Sequence, residues 1–165
     1  MHDMEIYADI WGTLDFSLLG SKHVPSFMSN WKLPFVTFPL NTDGIDPAGR
    51  NMTFRRIKIT NFDDAIVPKP SHVGYKYSNC TENILVENVE VHLGVGMSIG
   101  SEPPNKAHAC IKDVIFRDVQ FYKPFKGIYI KTNPGSVGDG IIKNITYQNI
   151  HMDTPIWWGV YIGPQ

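Results

Sequence analysis

Four segments of this chain repeat one another at a spacing near thirty residues, and that recurrence limits the fold more than any other feature. They begin at Asn51, Asn83, Asp113 and Asn144, so their starts are 32, 30 and 31 residues apart. In each, the second and fourth residues are apolar: Met52 and Phe54, Ile84 and Val86, Val114 and Phe116, Ile145 and Tyr147. The seventh and ninth are apolar as well: Ile57 and Ile59, Val89 and Val91, Val119 and Phe121, Ile150 and Met152. Two alternating strands joined by a break in phase produce this pattern, whereas a helical repeat would need apolar residues three and four apart. The sixth position, Arg56, Asn88, Asp118 and Asn149, falls on the break and suits a corner where a short polar side chain bonds the backbone or its stacked neighbour. Short strands repeated at this period bury their apolar faces only by stacking, which predicts an all-β solenoid, a parallel β-helix.

One domain is expected over residues 1–165, with about four to five coils that form part of a longer helix. Residues 1–36 read as an irregular or partial first coil and loop, and 37–165 as the regular coils. Neither end resembles a cap, so the terminal strand edges invite end-on self-association. The charges nearly cancel, 15 Lys plus Arg against 16 Asp plus Glu, which leaves no basic face for nucleic acid. No apolar run is long enough to cross a bilayer, and no secretory leader is recognisable.

Cys80 and Cys110 each lie three residues before a repeat start, so they occupy one position on successive coils. Rungs about 4.8 Å apart permit a disulfide, and a pair of buried thiols is the alternative. Asn51, Asn79 and Asn144 each open an acceptor pattern for N-glycosylation, although two of the three arise from the repeat itself and suit a corner. Together these features point to an extracellular, secreted protein.

Acids concentrate in Asn41-Thr42-Asp43-Gly44 and Asp63-Asp64. Alignment on the following strands places Asp43 in a column with Asp64, Gly96 and Gly127, beside a column of Thr42, Asp63, Val95 and Lys126. Three carboxylates then converge on adjacent rungs, where mutual repulsion raises at least one pKa. Hydrolysis of a glycosidic bond uses such a group: one acid protonates the leaving oxygen, and another carboxylate activates water about 6.5 to 9.5 Å away when the anomeric centre is inverted. An Asp-Asp pair taken alone reads as a turn or a calcium site rather than a catalytic pair.

Four segments in order carry a family resemblance: Asn41-Thr42-Asp43-Gly44, Asp63-Asp64, Gly94 to Ser101, and Gly127 to Thr132. Over about residues 40–162 they are similar to the motifs of the polygalacturonases, glycoside hydrolase family 28, with its pectin lyase-like fold. The resemblance implies a right-handed parallel β-helix and an inverting hydrolase of pectin-like polysaccharide that needs no cofactor or metal. It assigns Asp63 as general acid, and Asp43 and Asp64 as the holders and deprotonators of water. Asn41, Lys131, Tyr129 and Lys69 fall to substrate binding, with Lys131 meeting a substrate carboxylate. Val95 and Tyr129 stand where the family carries His and Arg, so altered specificity and weakened activity are both open. The other reading is a non-catalytic β-solenoid that binds glycan or builds an extracellular fibre. His92 and His108 are read as polar rim residues, Gly135, Gly138 and Gly140 as turn formers, and one of Trp157 and Trp158 as a sugar platform with the other in the core.

Overall fold

A computed structural model describes residues 41–70, 80–102, 109–133 and 139–165. They form eight strands: β1 (Arg50–Asn61), β2 (Asp64–Ile66), β3 (Cys80–Leu93), β4 (Gly96–Glu102), β5 (Ala109–Tyr122), β6 (Lys126–Thr132), β7 (Gly140–Asp153) and β8 (Trp158–Pro164). Odd strands make one parallel sheet and even strands a second, each four strands wide in the order of the sequence. The molecule is a parallel β-solenoid of about three turns among the described residues. The partial coil expected before residue 37 lies outside them, as do Asn79, His108, Gly135 and Gly138. No helix among the described residues is long and apolar enough to cross a membrane.

The register of the long sheet is the register of the repeat. Met52 pairs with Ile84, Ile84 with Val114 and Val114 with Ile145, and Ile59, Val91, Phe121 and Met152 stack likewise. These columns fill the interior. Phe54, Ile57, Ile59, Ile84, Val86, Val89, Val91, Val114, Phe116, Val119 and Phe121 are buried, and Met97 and Ile99 close the core from the short sheet. Stacking of chemically similar residues buries each apolar face against the next rung, and it contributes roughly 25 cal/mol for each Å² removed from water.

Corners are made by residues in the left-handed region. The sixth column has φ of 55° at Arg56, Asn88 and Asp118 and 52° at Asn149, and the first column matches it at Asn51, Asn83, Asp113 and Asn144. Asn and Asp tolerate this conformation better than other side chains with a Cβ. Their side chains also satisfy one another between rungs: Asn83 donates to Asn51 (2.6 Å), Asn144 to Asp113 (2.8 Å) and Asn149 to Asp118 (2.9 Å). Asn51 and Asn144 thus hold places in structural ladders at the surface. A third corner, at Leu93, Lys123 and Thr154, has φ of 63°, 51° and 53°. It was not visible as a pattern because the three share no side-chain chemistry.

Cys80 and Cys110 pair across β3 and β5 and form a disulfide, with Cα atoms 4.4 Å apart. The tryptophans differ from expectation. Neither enters the core: Trp157 is 53% exposed and Trp158 51%. Trp157 precedes β8 rather than alternating within it, and its ring packs on Phe125 with centroids 5.0 Å apart.

Candidate active site

The short sheet begins where the chain leaves β1 through Phe62 and Asp63, and a buried amide holds that junction together. Asn61, 3% exposed, has Nδ2 within hydrogen-bond distance of the carbonyls of Thr42 (3.0 Å), Asp63 (2.9 Å) and Asp64 (2.8 Å). The Phe62 amide donates to Thr42 Oγ1 at 3.1 Å, and Gly44 N donates to Asp64 O at 2.8 Å. One side chain therefore fastens the segment carrying Asp43 to the segment carrying Asp63 and Asp64. Asn61 escaped the sequence reading, since it closes an apolar strand and reads as an ordinary turn residue.

Close approach of the rungs needs glycine at two points. A Cβ on Gly44 would lie 2.3 Å from Ala65 O, and one on Gly96, whose φ is +114°, would lie 2.4 Å from Gly127 O. Asp64 pairs with Gly96, and a register shift at Ala65 follows before Ile66 pairs with Met97. These residues reproduce the column of Asp43, Asp64, Gly96 and Gly127 inferred from the repeat.

At this place Asp43, Asp63 and Asp64 each present a carboxylate oxygen, and the three atoms lie within 4.8 Å of one another. Their surroundings differ. Asp64 is fully buried; its carboxylate accepts from Ser98 Oγ at 2.5 Å and from the ammonium of Lys131. Asp63 accepts from the Asn41 amide at 2.8 Å and, through its other oxygen, from the Asp64 amide at 2.8 Å. Asp43 faces Lys69, whose Nζ lies 3.5 Å from it and 3.5 Å from Asp46. Burial pushes the Asp43 pKa up to about 6, and the charges of Asp46, Asp63 and Asp64 add to the rise against the opposing pull of Lys69. A pocket of about 480 Å³ opens beside it, lined by Asn41, Asp43, Gly44, Asp46 and Lys69.

The remaining residues singled out from the sequence follow the same outer face. Lys131, 6% exposed, directs its ammonium at Asp64 and lies 5.3 Å from the Tyr129 ring centroid. Tyr129 stacks above Ser98 and below Tyr161, and burial beside Asp64 pushes its pKa up to about 12. Val95 is half-buried and donates its amide to Asp63 O at 2.7 Å. His92 lies on the long sheet instead, stacked on Tyr122 and 2.5 Å from Glu90. The oxygens of the acid trio are closer than the 6.5 to 9.5 Å expected for an acid and base facing each other across a bond. Asp43 lies one rung, about 4.8 Å, from Asp64, and Asp63 directly precedes Asp64 in the chain, so both relations keep the oxygens close.

Comparison with known proteins identifies the family of the chain. The model of glycosyl hydrolases family 28 matches residues 28–164, more than half of the chain. A protein named exopolygalacturonase clone GBGA483, from Arabidopsis thaliana, is 38% identical over 116 residues, covering 69% of this chain and 24% of the relative. An endo-polygalacturonase from Pectobacterium carotovorum subsp. carotovorum is 32% identical over 113 residues, covering 68% and 25%. Probable rhamnogalacturonase C of Aspergillus niger is 33% identical over 110 residues, covering 66% and 20%. The chain thus spans about a quarter or less of the length of these relatives. No solved structure matches. The chain belongs to glycosyl hydrolases family 28.

Proposed function

We propose that this family 28 chain carries the hydrolytic centre of a secreted enzyme that cleaves pectin-type acidic polysaccharide. The observation that carries the reading is the convergence of Asp43 with the consecutive pair Asp63 and Asp64, some twenty residues along the chain, at one point beside the short sheet. In the proposed step Asp63 gives its proton to the glycosidic oxygen as the C–O bond breaks. Water held by Asp43 and Asp64 adds to the anomeric carbon and yields its proton to that pair. With the trio this compact, water binds beside the acids rather than between them, and inversion requires it to approach the sugar face opposite the leaving oxygen. Lys131 and Ser98 neutralise and orient Asp64, so removal of water's proton occurs next to a fixed cation.

An acidic substrate fits the cations on this face that are not fully buried, Lys69 and Lys126. The names of the relatives also favour galacturonan and rhamnogalacturonan backbones. Extracellular placement suits both the Cys80–Cys110 disulfide and a cell-wall polymer.

Release of reducing sugar from polygalacturonate, methyl-esterified pectin and rhamnogalacturonan tests the reading. The wild-type chain should act on at least one, and Asp63→Asn should lower that rate by roughly 10² to 10⁴; no release by the wild type on any of them overturns it. With Asp43 serving as base, the rate should fall as pH drops through about 6. A rate that instead falls above that pH would make Asp43 the acid.

A further inference from the structure

Next to the acid trio, the short sheet holds a second cluster to which the hydrolytic step gives no task. Lys126, at the start of β6, places Nζ 3.6 Å from the centroid of the Tyr129 ring, 4.9 Å from that of Tyr161 and 5.7 Å from that of Trp158. Pairing of β6 with β8 builds the cluster: Lys126 lies opposite Trp158 and Tyr129 opposite Tyr161. The rings form a continuous wall, with centroids 5.4 Å apart from Tyr129 to Tyr161 and 5.4 Å from Trp158 to Tyr161. It adjoins the acids directly, because Lys131 touches both the Tyr129 ring and Asp64.

Three properties distinguish this cluster from an ordinary ring contact. Trp158 stands beside Tyr161 with half of its surface exposed. Lys126 is half-buried, and that burial lowers its pKa; Lys131 acts in the same sense, against the carboxylates of Asp64 and Asp63. A ligand carboxylate would compensate that loss of hydration. Finally, Tyr129 occupies the position where the resemblance leads one to expect Arg, and the Lys126 ammonium lies against its ring.

We propose that Lys126, Tyr129, Tyr161 and Trp158 form a specificity subsite for a carboxylate-bearing sugar, with Lys126 Nζ receiving the carboxylate and the Trp158 and Tyr161 rings receiving the C–H face of the pyranose. The proposal rests on the hydrolase reading for its class of ligand. The rings hold the Lys126 side chain in place. Apolar C–H groups pack on aromatic faces whatever the sugar's charge, whereas the ammonium separates an acid from its ester. The subsite therefore sets preference between charged and esterified backbones.

The test is calorimetric titration of the full chain, carrying Asp63→Asn to prevent turnover, with a (1→4)-linked trigalacturonate and with its methyl ester. Lys126→Gln should weaken binding of the acid about tenfold or more and leave the ester within about twofold. Lys126→Arg should restore the acid, and Trp158→Ala should weaken both ligands. Unchanged affinity of Lys126→Gln for the acid overturns the proposal, as does an equal loss for acid and ester or the absence of binding to either. If Lys126 governs acid binding while the wild type hydrolyses no polymer, the hydrolase reading fails and the subsite stands.

Discussion

On the long sheet, outward charges alternate in sign from rung to rung. Glu82 lies between Arg50 (3.6 Å) and Lys112 (2.7 Å), Glu87 between Arg55 (3.9 Å) and Arg117, and Lys58 meets Glu90 at 2.8 Å. Lys112 and Arg50 accordingly hold the Glu82 carboxyl below its usual range, and His92 and Lys58 do the same for Glu90. On the short sheet three carboxylates crowd together, one of them buried, and Asp43 is pushed the other way. The same stacking that neutralises charge on one sheet concentrates it on the other. What differs is the order of residue types along the column, and the lesson is that a solenoid allots stability and chemistry to separate faces of one coil.

If that division is real, removing a cation should matter very differently on the two sheets. Lys131→Met leaves Asp64 buried without its counter-ion, and should cost about 3 to 5 kcal/mol in urea unfolding, as loss of one partner of a buried pair does. A cost below about 1 kcal/mol would show that Asp64 does not depend on Lys131 as its counter-ion.

Acid titration sharpens the contrast. Between 3.8 and about 6 the native protein binds a proton at Asp43 that the unfolded chain releases, so this group's contribution to stability falls as pH rises through that window. Asp43→Asn should remove that slope and leave the variant more stable than wild type above the window, by up to about 3 kcal/mol. Parallel pH dependence of the two proteins in thermal melts would break the account of charge crowding.

The smallest effect belongs to the long sheet. Lys58→Gln should cost about 1 kcal/mol or less, and the loss should shrink in high salt, since its pair with Glu90 is exposed and such pairs contribute little and are screened. A loss comparable to that of Lys131→Met would erase the distinction between the sheets.

Much of this was legible in the sequence because the period of the repeat and the register of the sheet are the same quantity. Once Met52, Ile84, Val114 and Ile145 share a phase, the hydrogen-bonded partners follow, and so does the apposition of Cys80 with Cys110. Asn and Asp in the first and sixth columns announced two corners through their tolerance of positive φ. The third, at Leu93, Lys123 and Thr154, is imposed by closure of the coil and left no compositional trace.

Side chains of the site were less legible. Lys131 was expected to meet a substrate carboxylate, and its ammonium is bonded to Asp64. Asn61 and Ser98 drew no attention as site residues, because each matters through a partner 19 or more residues away, and Lys126 stood only in a column beside the acids, without the rings of Trp158 and Tyr161.

The sequence by itself determined the rung, its period, its interior columns and the approach of Asp43 to the Asp63–Asp64 pair, because all of these depend on backbone stacking at a constant rise. Only the tertiary structure decided which of the acids is buried, which cation neutralises it and which rings surround Lys126. Those outcomes depend on where flexible side chains end, and that is set by neighbours on other rungs, by solvent access and by the register shift at Ala65.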